Sequence, residues 1–259
     1  VIGLLAGAVV LAAGWVAAEL RAATPLIDMK MMRRTAVWTN NLVALLIGVG
    51  MYATFAFLPE FVQTPSAAGY GFGASITRSG LMLLPSAITM FAVGVFAGRL
   101  ARKLGGKVLV ISGCLVGCAA MTVLAFAHQH EWQIYLSNAI MGIGFGLAFS
   151  AMSALVVAAV PSSQTGVASG MNANIRTIGG SIGAAVMASI VTSQLLPSGL
   201  PKESGYTTGF AVMAAGLVLA ALAGLLIPSA RGLRRMAGEP EHAELAMVAG
   251  GTIVGYQSE

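Results

Sequence analysis

Polar side chains set inside long apolar runs are the residues of this sequence most able to do chemistry. Arg176 lies in the stretch MNANIRTIGGS, with Asn172 four residues before it and Gly180 and Gly183 four and seven after. Those offsets place all four on one helix face. Arg176 admits two readings: its long chain reaches back to the membrane interface, or it makes a structural or gating contact with a carboxylate or with helix C-terminal carbonyls. A second constellation is Asn41, Leu45, Gly48, Tyr52, Phe55 and Pro59, spaced by threes and fours into a face with a polar foot and an aromatic top. A third joins Asn138, Met141, Phe145, Phe149 and Met152, with Ser153 beside it. A methionine and aromatic stripe reads either as core packing or as an adaptable binding surface. The chemistry available to these groups is recognition of a small molecule, not bond-making.

Enzyme readings find no support. The three histidines, His128, His130 and His242, all fall outside the apolar runs. A membrane serine protease needs a base beside its serine, and a zinc protease needs helical histidine ligands. No glycine-rich strand-to-helix phosphate loop is present. His128 and His130 with Glu131 could hold a surface metal, but they read as a solvated loop. No Asp or Glu sits mid-run, and Glu19 and Glu60 read as interfacial residues reaching water. The expectation is a non-enzyme with no cofactor.

The elements that position these groups follow from composition. Of 259 residues, 57% are hydrophobic and 9% charged, against roughly 25% charged in a soluble domain; mean hydropathy is +0.86. That deficit excludes a soluble enzyme, a nucleic-acid-binding module and a disordered chain. Seven runs approach or exceed the ~20 residues a bilayer-crossing helix needs: 1–20, 37–61, 79–100, 107–127, 132–160, 168–195 and 207–227. They are twice the length of a barrel strand and lack its alternation. An all-α membrane protein of seven transmembrane helices is therefore predicted. Cys114 and Cys118, four apart within one run, read as reduced packing residues.

The 14 lysines and arginines divide sharply between the two sides. Arg21, Lys30, Arg33, Arg34, Arg99, Arg102, Lys103, Lys107, Arg231, Arg234 and Arg235 share one side with Arg176, which makes twelve. Only Arg78 and Lys202 lie on the other. Basic residues accumulate on the cytoplasmic side, so a multi-pass protein of the plasma (inner) membrane with a cytoplasmic C-terminus is expected. Residues 1–20 form the first helix, 21–36 a cytoplasmic linker, 37–230 a six-helix domain, and 231–259 a tail that reads as disordered. The chain opens on Val1 inside an apolar run, and it reads as the C-terminal portion of a longer protein. Glycine is abundant, at 33 residues, and recurs at spacings of four in Gly3/Gly7, Gly94/Gly98, Gly113/Gly117, Gly142/Gly146 and Gly179/Gly183. Such pairs bring helix backbones together in lipid, either as fixed packing or as seams that slide during a transport cycle.

Four strings carry a family resemblance: PLIDMKMMRRTAV; SGLMLLPSAITM followed by GVFAGRLARKLGGKVLV; GIGFGLAFSAMSALVVAAVP; and SSQTGVASGMNANIRTIGGSIGAAVM. In their order and spacing they resemble the C-terminal half of the major facilitator superfamily, in its fourteen-helix drug/proton antiporter branch. The resemblance implies that residues 1–20 are a central extra helix and that the last six helices form the C-terminal six-helix domain. It also implies inverted three-helix repeats and a mid-membrane cavity faced by the second and fifth spans. The cavity residues would be Asn41, Tyr52, Phe55, Asn138, Met141 and Phe145, with Arg176, Asn172, Gly98, Arg102 and Gly105 gating or structural. The family's helix–loop–helix signature aligns with Gly98, Leu100, Arg102, Lys103, Gly105 and Lys107. Here Arg102 stands where the family has an acid, and Gly106 replaces a basic residue. The implied function is proton-coupled export of lipophilic or cationic small molecules by alternating access. Its partners would be substrate, protons, the bilayer and the missing N-terminal half, with no nucleic acid and the proton gradient as energy source. Two alternatives stand beside it: a narrow-specificity metabolite or solute transporter, and a non-transporting membrane assembly subunit.

Overall fold

The computed structural model describes residues 2–21 and 29–228. They form α1 (Ile2–Arg21), the four-residue α2 (Met29–Met32), α3 (Thr35–Gln63), α4 (Ile76–Leu104), α5 (Gly106–Phe126), α6 (Glu131–Ala159), α7 (Thr165–Thr192) and α8 (Glu203–Gly224). Among the described residues the one extended pairing is an isolated bridge between Leu195 and Pro201. Helices α3 to α8 are each long and apolar enough to cross a membrane, and α1 has the required 20 residues. The all-helical membrane architecture read from the sequence is the one observed. The disordered tail expected at 231–259 lies outside the described residues.

Helix ends differ from the apolar runs by a few residues, for a local reason. Helix α7 starts at Thr165, after a 3-10 turn over Ser162–Gln164, and α8 starts at Glu203. The first turn of α8 is polar, which a hydropathy count leaves out, and its acidic Glu203 suits the helix dipole. Helices α4 and α5 are joined by Gly105 alone, at φ +87°, its N–H donating to the Ala101 carbonyl at 2.9 Å. A Cβ is strained at that φ. This is the work of the glycine in the signature-like stretch, whereas Gly98 meets nothing within 4 Å and Arg102 is exposed.

Packing within α3 to α8 has an internal symmetry. The dominant pairings are α3 with α7, α4 with α6, α5 with α6, α3 with α8, and α5 with α8. Exchanging the triplet α3–α4–α5 for α6–α7–α8 maps this set onto itself. Successive helices alternate direction, so the triplets run oppositely, as inverted repeats require. The middle helix of each triplet is the least covered. In α4 and α7, 17% and 28% of the central segment is buried, against 50–56% in the other four.

Glycines make the cross-triplet pairings close. A Cβ at Gly179 or Gly183 of α7 would run into the Leu45 or Val49 carbonyl of α3, and one at Gly48 into the Arg176 carbonyl. The equivalent α4–α6 seam places Gly142 against Ser86 and Thr89, and Gly146 against Met90. Gly113 meets Gly144 and Ala148 on α6. Three of the five sequence-identified pairs thus serve seams inside the domain. Gly94/Gly98 and Gly3/Gly7 do not, since nothing lies closer than 4.0 Å to any of them.

Helix α1 exposes much of its apolar surface. Val10, Leu11, Trp15 and Leu20 are exposed. Glu19 departs from its sequence reading: it is 8% exposed and does not reach water freely. Between α2 and the bundle, Met31 buries itself with Val37, Val156 and Ala168, and Arg34 donates to the Ala159 carbonyl at 3.0 Å. The chain before α3 is thereby tied to the ends of α6 and α7.

Candidate functional site

Helices α3, α6 and α7 converge in the third of the bundle nearest its basic end, and there the sequence-identified polar residues meet. Asn172 of α7 donates its amide to Asn41 Oδ1 of α3 at 2.9 Å. Neighbouring Asn40 donates to the Met152 carbonyl of α6 at 3.0 Å. Both asparagines of α3 are buried, at 0% exposure for Asn40 and 5% for Asn41. One turn beyond Asn172, the Arg176 guanidinium lies 4.3 Å over the Phe149 ring of α6. Phe149 is itself stacked on Phe145, with centroids 5.9 Å apart and planes 10° from parallel. Three polar atoms in this convergence are buried with no hydrogen-bond partner: Asn40 Oδ1, Asn41 Nδ2 and Arg176 Nε.

Arg176 is half-buried, eleven residues into α7, or about 17 Å along its axis at 1.5 Å per residue. An arginine at a helix centre in lipid costs roughly 2.5–3.5 kcal/mol, and a cation–π contact returns about 0.5–2. The neighbour it finds here is an aromatic face, neither of the partners considered from the sequence.

Tyr52 occupies the next level. Its ring lies across Gly180 of α7, where a Cβ would collide with it, and it is 37% exposed. Phe55 is half-buried and packs on the main core. Asn138, Met141 and Phe145 are all within the core, at 0–1% exposure. Asn138 donates to the Ile134 carbonyl one turn back at 3.0 Å. Phe145 lies against Gly117. The α6 stripe therefore faces the inside of the six-helix domain, and of the six residues expected on a cavity wall only Tyr52 is exposed.

The sequence reading missed a second face. On α7, Asn174, Thr177, Ser181 and Thr192 are exposed, and their offsets set them on one side of the helix. Their hydroxyls do no more than return to their own backbone: Thr177 to Ala173 at 3.1 Å, Ser181 to Thr177 at 3.3 Å, Thr192 to Ala188 at 2.7 Å. Ile178, Ile182 and Val186 are exposed beside this stripe on α7, and the exposed Leu81, Leu84, Ile88, Phe91 and Val95 of α4 have no such polar stripe among them. The spacing 174, 177, 181 was readable in the sequence, but small hydroxyls gave it little weight beside the aromatic stripes.

The opposite end is closed by an aromatic cap. Phe61 meets Tyr70, His128 and Tyr206 with centroids 5.6, 5.1 and 5.2 Å away. Tyr70 donates to the Pro201 carbonyl at 2.5 Å; burial pushes its phenol above the usual range, which keeps it a donor. His128 is 6% exposed, a correction to its reading as a solvated loop residue. Its Nδ1 lies 2.7 Å from the Leu124 carbonyl and its Nε2 2.8 Å from Glu203 Oε1. Glu131 pairs instead with Arg78, whose Nη2 alone donates to both carboxylate oxygens at 2.6 and 2.7 Å. Among the described residues no group of three or more metal-ligating side chains forms.

A bundle of two interlocked inverted three-helix repeats, with polar groups concentrated where α3 meets α7, is the architecture of a transporter domain. The family model of the Major Facilitator Superfamily matches residues 1–184, more than half of the sequence, and the chain belongs to that family. It is 24% identical over 230 residues to the multidrug transporter protein MdtP of Bacillus subtilis, covering 84% of this chain and 41% of that protein. It is 31% identical over 163 residues to a tetracycline resistance determinant of Streptomyces rimosus, covering 61% and 45% respectively. The multidrug efflux pump LfrA of Mycolicibacterium smegmatis is 25% identical over 242 residues, 89% of this chain and 46% of the pump. The chain thus spans less than half the length of these relatives. Among solved structures, the peptide transporter POT (E310Q mutant) in complex with alafosfalin superimposes with a TM-score of 0.59 at 15% identity, over 85% of this chain and 46% of that one.

Proposed function

We propose that this chain is the C-terminal half of a secondary transporter that exports lipophilic or cationic small molecules in exchange for protons by alternating access. The observation that carries the reading is the exposed polar face of α7. Its hydroxyl donors bond to their own helix carbonyls, but their spare acceptor lone pairs and the Asn174 amide are solvated against a water-filled cavity and not in lipid. The least covered helices, α4 and α7, would face the other half. Tyr52 and Arg176 would stand at the edge of the cavity, Tyr52 supplying an aromatic surface for flat apolar substrates. The names of the relatives support drug export, and the twelve-to-two distribution of basic residues supports a cytoplasmic position for the basic end. Asn138, Met141 and Phe145 would act behind the wall, fixing the position of α6.

The test is ethidium accumulation in inverted membrane vesicles carrying the full-length gene product, driven by an imposed pH gradient. Accumulation should collapse with an uncoupler, and Tyr52→Ala should raise KM several-fold at similar expression. Accumulation indifferent to the gradient would contradict proton coupling. Export by this 259-residue chain alone would contradict the need for a second half.

A further inference from the structure

Arg176 brings a positive charge to a depth that no acid of these six helices shares. The sequence holds nine acidic residues. Glu60, Glu131 and Glu203 sit at the end of the bundle opposite the basic one. Glu19 and Asp28 precede α3, and Glu239, Glu241, Glu244 and Glu259 follow α8. The guanidinium rests on the face of Phe149 at 4.3 Å, which accepts no in-plane N–H, and its Nε is buried and unpartnered. One turn away on the same face, Asn172 engages Asn41 Oδ1, leaving Asn41 Nδ2 buried and unpartnered as well. Asn40, whose amide is turned to the Met152 carbonyl of α6, leaves an acceptor unpartnered on that side. The other two unpartnered atoms, Asn41 Nδ2 and Arg176 Nε, are donors, and one belongs to a planar cation. A planar, anionic acceptor with two oxygens matches that set, because guanidinium N–H groups bind carboxylates in a fork.

We propose that Arg176, with the Asn41–Asn172 amide pair beside it, is a carboxylate-binding site at the α3–α7 seam. The carboxylate comes either from a substrate or from an acidic side chain elsewhere in the full-length protein. The site rests on the transport reading only in this question of source. If the acid is the substrate's, the transported molecules are anionic or zwitterionic. If it is a side chain's, the pair neutralises Arg176 and the cavity is free to take cations.

The experiment is equilibrium binding of 1-pyrenebutyric acid and of its uncharged primary amide to the chain in lipid nanodiscs, each corrected against empty nanodiscs. The native chain should bind the acid roughly tenfold tighter than the amide, the size expected for charge-assisted hydrogen bonds. Arg176→Gln should abolish that preference, and Arg176→Lys should keep part of it, since the charge remains and the fork is lost. Repeating the measurement on the full-length protein separates the sources. A preference that persists assigns the site to substrate, and one that vanishes there while the chain alone retains it assigns the site to an internal acid. Equal binding of acid and amide by the native chain, or a preference that Arg176→Gln leaves intact, overturns the proposal. Failure of ethidium transport would leave this preference untouched, so the two readings fail separately.

Discussion

The Asn41–Asn172 pair shows how much a single hydrogen bond decides in lipid. Asn172 Nδ2 and Asn41 Oδ1 satisfy each other, and replacing only one of them strands its partner in a buried place. Asn172→Leu should therefore destabilise the domain by about 1–3 kcal/mol, and Asn41→Leu/Asn172→Leu should recover part of that. Reversible unfolding of the purified chain in mixed micelles reads both, and additive losses would contradict a direct bond. The surface pair Arg78–Glu131, half exposed on the arginine side, should behave differently. Arg78→Ala should cost no more than about 1 kcal/mol, since one exposed guanidinium nitrogen serves both carboxylate oxygens. At this scale the sequence disclosed which residues matter better than what they do. Asn41 and Tyr52 are eleven residues apart and share a face of α3, yet α7 covers the first and leaves the second 37% exposed. Periodicity locates a face but not the helix that crosses it. His128 shows the same limit, because the residues packed on it, Phe61 and Glu203, come from the ends of α3 and α8, far away in sequence.

Helices associate here through the absence of side chains. Gly183 lies against the Val49 carbonyl and Gly142 against the Ser86 carbonyl, so branched replacements must push whole helices apart. Gly183→Val and Gly142→Val should each lower the thermal unfolding temperature in detergent by several degrees or prevent folding, as overpacking costs typically 1–3 kcal/mol. Gly94→Ala, with only the Ser150 hydroxyl at 4.0 Å, should be neutral in the same assay. A drop at Gly94 equal to that at Gly183 would mean that the seams are not where the structure places them. All five glycine pairs look alike in sequence, since the spacing of four says which residues share a face and nothing of which face has a neighbour. Gly105 was legible only as part of a signature-like stretch, and its role is conformational: φ +87° in a one-residue turn. At φ +87° and ψ 145° the backbone is one that residues other than glycine rarely adopt, and Gly105→Ala should cost about 1–3 kcal/mol.

At the scale of the whole molecule the sequence was most informative. Apolar runs of bilayer length, broken by short connectors, already specified an all-helical membrane bundle, because hydrocarbon leaves a backbone few other ways to satisfy its hydrogen bonds. The interlocking of the triplets, with α3 on α7 and α6 on α4, was not legible in the runs themselves and came only through family resemblance. The pairing leaves α4 and α7 as open faces, that of α4 almost wholly apolar and that of α7 mixed, a polar stripe through Asn174, Thr177 and Ser181 running beside exposed Ile178, Ile182 and Val186. That asymmetry supports the central claim that the polar face of α7 borders an aqueous cavity. The most direct test places single cysteines at Thr177 and Asn138 after Cys114 and Cys118 are replaced by alanine, then exposes the full-length protein in cell membranes to a charged, membrane-impermeant thiol reagent. The account predicts rapid modification at Thr177→Cys, slowed by bound ethidium, and none at Asn138→Cys, which lies in the core. An unreactive Thr177→Cys, or equal reactivity at both positions, would contradict it.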